Sequence, residues 1–164
     1  MLGHLTINEY DFDTVSHLHG WEHTERVMKL VQHLGKVGNL PEPLVLEAYC
    51  AAVIHDMARK HDGYCDMHGQ WAVETKLPVW KERFFEVGLL PEQLEAVAFA
   101  VDWHCKDFKT VPDSPHLTTL MLLHDADALD RVRFGGPESI RLDYLHFEST
   151  QEQIPFAEKL LWKY

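Results

Sequence analysis

Cysteine is scarce: Cys50, Cys65 and Cys105 are odd in number and lack C-x-x-C spacing. That excludes a disulfide framework and a soft-metal site built on a cysteine pair, and the three read as reduced thiols of a cytoplasmic protein. No run of about 18 apolar residues exists, which excludes a membrane-spanning helix. The start, MLGHLTINEYDFD, has neither the basic nor the apolar region of a signal peptide. Positive charge is thin as well, with 15 Lys and Arg against 26 Asp and Glu and a formal charge of -11. Such a surface disfavours stable binding to nucleic acid or anionic membrane. An anionic ligand has to be captured locally, by metal ions or a few clustered Arg and Lys.

What remains describes one domain over residues 1–164, with 46% hydrophobic residues and room for a real core. No strand pattern, repeat or low-complexity tract appears, so the fold class is all-α. Residues 1–16 give no firm element and fit a short helix or an arm. From Gly20 to Val37, Val27, Leu30, Val31 and Leu34 fall at helical spacing, with His23 on the same face. The stretch Leu44–Lys60, LVLEAYCAAVIHDMARK, is apolar on nearly every side, as in a helix buried all round, and ends near His61-Asp62-Gly63. Asp66 is placed to cap a helix from His68 that breaks at Pro78 and resumes to Val87. Pro91 opens a helix whose stripe is Leu94, Val97, Val101 and His104. The next runs from His116 to about Arg133 and aligns Leu120, Leu123 and Asp127. An amphipathic helix over Gln151–Trp162 either closes the core or pairs with another chain, so a homodimer is open.

The unusual count is histidine, twelve in all. Four helices carry His23, His55 with Asp56, His104, and Asp127 on faces that should be apolar. Each taken singly is most simply a satisfied core residue. Together they would cost stability four times over, because a buried polar group without a partner is expensive. Convergence on one metal centre satisfies them together, and His/Asp ligation suits zinc, iron, manganese or nickel.

The ordered set His23, His55-Asp56, Asp127 resembles the HD superfamily of metal-dependent phosphohydrolases. HGWEHTERV resembles its first-helix motif, AAVIHDMARK its doublet helix, and HDADALDRVRFG its closing Ala-Asp-x-Leu segment, which assigns the ligand role to Asp127 rather than Asp125 or Asp130. The resemblance covers about residues 15–135 and implies a compact helical bundle, with the C-terminal helices 137–164 packed on it. His68 in MHGQWA and His104 in AVDWHC match histidines that bind a second metal in part of the family, the doublet aspartate bridging the two. One or two divalent ions (Fe, Mn, Zn, Co or Ni) are therefore expected on His23, His55, Asp56, His68, His104 and Asp127.

The activity so implied is hydrolysis of a phosphate ester or anhydride in a small molecule, a nucleotide first. His55 and Asp56 lie at the catalytic centre, where a metal lowers the pKa of bound water toward neutrality. Arg59 and Lys60 are the first candidates to hold substrate phosphate, with Lys106, Arg131 and Arg133 behind them. The same ligands suit a diiron oxygenase of this fold, and a non-catalytic binding or regulatory domain is the third reading. His19-x-x-Glu22-His23 matches the inverted zinc-protease motif, but Gly20 weakens a helix there and those enzymes are typically larger. The doublets His61-Asp62 and His124-Asp125 read as decoys. His4, His17, His33, His116 and His146 read as surface or packing residues.

Overall fold

A computed structural model describes residues 4–162, so positions 1–3 of the amino-terminal segment and 163–164 of the carboxy-terminal one lie outside the described residues. Among the described residues eight α-helices are joined by 3₁₀ turns, with no strand. They are α1 (Trp21–Val37), α2 (Glu42–Ile54), α3 (His68–Thr75), α4 (Leu77–Glu86), α5 (Leu94–Trp103), α6 (Leu117–Leu129), α7 (Glu148–Gln151) and α8 (Ile154–Leu161).

The all-round apolarity of α2 has a direct cause: it packs against α1, α5 and α6 at once. Every residue from Ala48 to Ile54 is buried, so no face is left for a charge. α1 needs only a stripe, and Val27, Leu30, Val31 and Leu34 supply it. Each such side chain contributes about 1.5–3 kcal/mol on full burial. α3 lies across the end of α5, and α5 packs on α6.

The amino-terminal segment is an arm with one 3₁₀ turn at Glu9–Asp11, whose N-cap Asn8 accepts from the Tyr10 N–H. Leu5 and Ile7 are buried, and the Leu5 N–H donates to the Tyr49 hydroxyl at 3.2 Å. Lys76, in the break before Pro78, ties the arm down through Asp13 at 2.6 Å and the Asp11 carbonyl at 2.8 Å.

Several elements depart from the sequence pattern. The doublet helix stops at Ile54 instead of Lys60, and its next turn tightens, Met57 N–H donating to Ile54 O at 3.1 Å. Such i→i+3 bonding is common where a helix ends. Asp66 does not cap α3, whose N-cap is Met67 without a side-chain bond. α6 passes into a 3₁₀ turn over Asp130–Phe134, and the C-terminal helix is split, with Pro155 in the first turn of α8. Ala157 and Leu160 close the core against α1, whereas Trp162 is exposed. No helix among the described residues is long and apolar enough to cross a membrane.

Candidate metal centre

The tightened turn after α2 places His55 and Asp56 where the ends of four other segments meet. Asp56 is the hub, and its two carboxylate oxygens face different partners. Oδ2 lies 3.0 Å from His19 Nδ1, 3.5 Å from His23 Nε2 and 3.7 Å from His55 Nε2. Oδ1 lies 3.0 Å from His68 Nε2, 3.7 Å from His104 Nε2 and 3.5 Å from Arg59 Nε. Asp127 joins the first set, its Oδ1 being 3.3 Å from His23 Nε2. All six expected ligand residues therefore converge: His23, His55 and Asp127 on one side of the Asp56 carboxylate, and His68 and His104 on the other.

Four histidines are held in one tautomer by the acceptors behind them. His55 Nδ1 donates to Ala52 O at 2.7 Å, His68 Nδ1 to Cys65 O at 2.9 Å, and His104 Nδ1 to Val101 O at 2.6 Å. A carbonyl only accepts, so these nitrogens carry the protons. His23 Nδ1 faces Asp130 Oδ2 at 2.7 Å, which fixes it in the same way. In the neutral form that binds a metal, these rings present bare Nε2 atoms inward, His23 to His55 at 3.3 Å and His68 to His104 at 3.0 Å. Lone pairs facing one another beside a buried carboxylate call for a cation between them. Nδ1 bonded outward with Nε2 free is also how metal-binding histidines are oriented. The donor set fits divalent metal ions, and His23, His55 and Asp127 form one group close enough to share an ion, as do His55, Asp56 and His104.

The electrostatics have the same origin. Burial drives the His55 pKa down to about 4, and burial also lowers that of His68. Burial and Arg133 work against a charged His23, but its bonds to Asp127 and Asp130 prevail and raise its pKa. Burial alone would favour neutral carboxyls, yet the surrounding histidines hold Asp56 well below the ordinary range and His23 does so for Asp127. Asp130 is likewise lowered against burial, by His23 and by Arg26, whose Nε donates to Oδ1 at 2.6 Å.

Two glycines let the backbone make this site. A Cβ on Gly69 would lie 2.2 Å from Val101 O and 2.9 Å from Asp102 O, so only glycine lets α3 close onto α5 and bring His68 to His104. Gly20 is the N-cap of α1, and a Cβ there would sit 2.1 Å from Ser16 O. His19 thus precedes the helix, and the H-x-x-E-H spacing is not two turns of one helical face.

The cluster opens into a cavity of about 510 Å³ lined by Arg59, Arg131, Arg133, Tyr64, Phe134 and the site carboxylates and histidines. Lys60 lies elsewhere, exposed and 4.1 Å over the Trp71 ring. Lys106 pairs with Asp102 at 2.6 Å and covers Trp103. Asp127, expected on the buried side, keeps 36% of its side chain exposed because it faces this cavity. A second cavity of about 320 Å³ shares Asp127 and Arg131 with the first and adds His124, Ala128, Arg141 and Tyr144.

Sequence patterns missed His19, Asp130 and the sulfur of Cys105. Asp130 is fully buried one helical turn from Asp127, and no pattern in the sequence sets it apart. Cys105 lies with His68 and His104 in a group whose candidate ligand atoms are within 4.8 Å of one another. Of the decoy doublets, Asp125 is structural, accepting from His146 N–H at 2.8 Å, Phe147 N–H at 3.1 Å and Thr150 Oγ1 at 2.6 Å to start α7. Asp62 accepts from Ser16 Oγ in the turn at the cavity rim. His33 is a packing residue, stacked on Phe156.

No family model matches the sequence, and no curated protein matches it. The structure is similar to the crystal structure of a predicted HD superfamily hydrolase from an uncultured Thermotogales bacterium. The TM-score is 0.60 over 94% of this chain and 82% of that one, at 20% sequence identity. The two proteins share an all-α fold over most of each chain.

Proposed function

We propose that the protein is a metal-dependent phosphohydrolase acting on a small phosphorylated metabolite, with a nucleotide as the first substrate class. The observation that carries this reading is the inward ring of bare Nε2 atoms around Asp56, opening onto a cavity with three arginines. His23, His55, Asp56 and Asp127 would hold one metal, and His68, His104 and Asp56 a second. Bound there, the metals supply a water of lowered pKa and offset charge on phosphoryl oxygens.

The chain's own groups do the rest. Arg59, less than one turn past Asp56, and Arg133 present guanidinium groups toward the cavity, and a fork of N–H donors matches phosphate oxygens. Arg131 stands in the wall common to both cavities and has no carboxylate partner among the described residues, its Nε donating to Ser139 O at 3.1 Å. A phosphate in the first cavity leaves the rest of the molecule facing the second, where His124 and Tyr144 offer rings to a planar base.

The test is phosphate release from a panel of nucleoside mono-, di- and triphosphates and sugar phosphates, with manganese, cobalt, zinc or iron added to metal-free protein. Turnover on a subset, abolished by Asp56→Ala, is the expected result. No release with any metal, or release unaffected by Asp56→Ala, would contradict the reading. Substrate-dependent oxygen uptake in place of phosphate release would move the site to oxidation chemistry.

A further inference from the structure

The two sides of Asp56 differ in one donor. The group of His23, His55 and Asp127 includes no cysteine among the described residues. Beside His68 and His104 stands Cys105, the next residue in the turn that ends α5. Its thiol is half-buried on the wall of the main cavity and turned to the Asp66 carbonyl at 3.4 Å and the Asp102 carbonyl at 4.0 Å. A thiol is a weak donor, so little holds it there.

We propose that Cys105 is a thiolate ligand of the second metal position, which with His68, His104 and Asp56 makes a site for a thiophilic divalent ion such as zinc or cobalt. The inference rests on the metal centre of the proposed function and adds to it a sulfur ligand and a metal preference. His68 and His104 are both more than nine-tenths buried, and their Nε2 atoms face each other at 3.0 Å. Asp56 Oδ1 closes a third side, at 3.0 Å from His68 Nε2. Tetrahedral zinc bond lengths separate N and S ligands by about 3.5 Å. A ring nitrogen of each histidine and the Cys105 sulfur already lie within 4.8 Å of one another, and rotation about the cysteine side-chain torsion moves the sulfur relative to them. Thiolate ligation selects zinc or cobalt over manganese or magnesium at this position, while the His/Asp position across Asp56 has no such bias. On binding, the S–H bond breaks, the proton leaves to solvent and the sulfur lone pair goes to the metal.

Cobalt(II) titrated into metal-free protein is the test, because a Co–thiolate bond gives a near-ultraviolet charge-transfer band that His and Asp ligands do not. The expected result is a band that saturates with the second equivalent, disappears on adding zinc, is lost in Cys105→Ser and persists in Cys65→Ser. Two bound cobalt ions without the band, or a band untouched by Cys105→Ser, would overturn the inference and leave the hydrolase reading standing. Failure to bind any cobalt would overturn both. A second readout needs no variant: alkylation of Cys105 by iodoacetamide, mapped by mass spectrometry, should be blocked by zinc and not by magnesium. Equal labelling with and without zinc would also overturn it.

Discussion

The two halves of the centre are supported differently. On the His23 side, the outer partner is a carboxylate: Asp130 takes His23 Nδ1 and is itself gripped by the buried Arg26 at 2.6 Å and, from the cavity wall, by Arg133 at 3.3 Å. On the His68 side, the outer partners are main-chain carbonyls, Cys65 O and Val101 O, and α3 is held to α5 by close approach at Gly69. One half is fixed by charge and burial in the central helices; the other by backbone fit at the rim. A carboxylate behind a metal-binding histidine raises its basicity, so the His23 side is expected to hold its ion more tightly.

The most severe way to break the comparison is at the residue both halves share. Asp56→Ala removes the common carboxylate and should lower turnover by more than about 100-fold, the upper end of what loss of an outer-shell partner alone costs. Metal content should fall on both sides, which plasma mass spectrometry of the purified variant checks. Asp130→Asn attacks one side only. It removes the carboxylate charge that Arg26 Nε and His23 Nδ1 bond and should destabilise the protein by about 1–3 kcal/mol in urea unfolding. Metal affinity should drop by about 10–100-fold for one ion and stay unchanged for the other in a calorimetric titration.

Acid should act unevenly too. His55 is pushed down to about 4 from 6.5 by burial, so between those values the unfolded chain binds more protons than the folded one. Stability of the metal-free protein therefore rises with pH through that window, by up to about 3 kcal/mol from His55, and the lowered His68 adds to it. The raised His23 opposes this, its contribution being complete below 6.5 and lost as pH climbs through its folded value. Below pH 4 the depressed Asp56, Asp127 and Asp130 become protonated and their contributions go as well. Urea midpoints for metal-free protein should thus fall from pH 7 to pH 4.5; a flat or rising profile would contradict this account of the buried histidines.

Gly69→Ala sharpens the comparison from the rim. Its Cβ would meet the Val101 carbonyl and push α3 off α5, costing about 1–3 kcal/mol as overpacking does. One metal equivalent should be lost while the His23 side keeps its own. The smallest effects belong to Lys60 and Lys106, which cover tryptophan rings outside the cavity. Alanine at either should change stability by less than about 0.5 kcal/mol and leave KM alone, whereas Arg131→Ala should raise KM.

Much of this was legible in the sequence, for reasons tied to particular residues. α1 and α2 announce themselves because burial on one face or on all faces writes directly into hydrophobic spacing, and His23 and His104 stand out against it. The end of α2 was not legible, since Met57 and Ala58 are as apolar as the helix before them and are buried in the turn. Nor was the separation of Arg59 from Lys60: adjacent residues diverge, and only the tightened turn decides which one meets the cavity. His19 and Cys105 enter the site from non-helical positions, where no periodicity points. Asp130 hides because its work is done on another ligand, in a 3₁₀ turn that shifts its direction from the α6 stripe.

The central claim, that Asp56 is shared by two metal positions, is met most directly by metal content per chain of freshly purified protein, with no metal or chelator added. Close to two ions per chain, falling toward one in Gly69→Ala, is the predicted result. A single ion in the unaltered protein, still present in Gly69→Ala, would contradict it and return His68, His104 and Cys105 to the cavity wall.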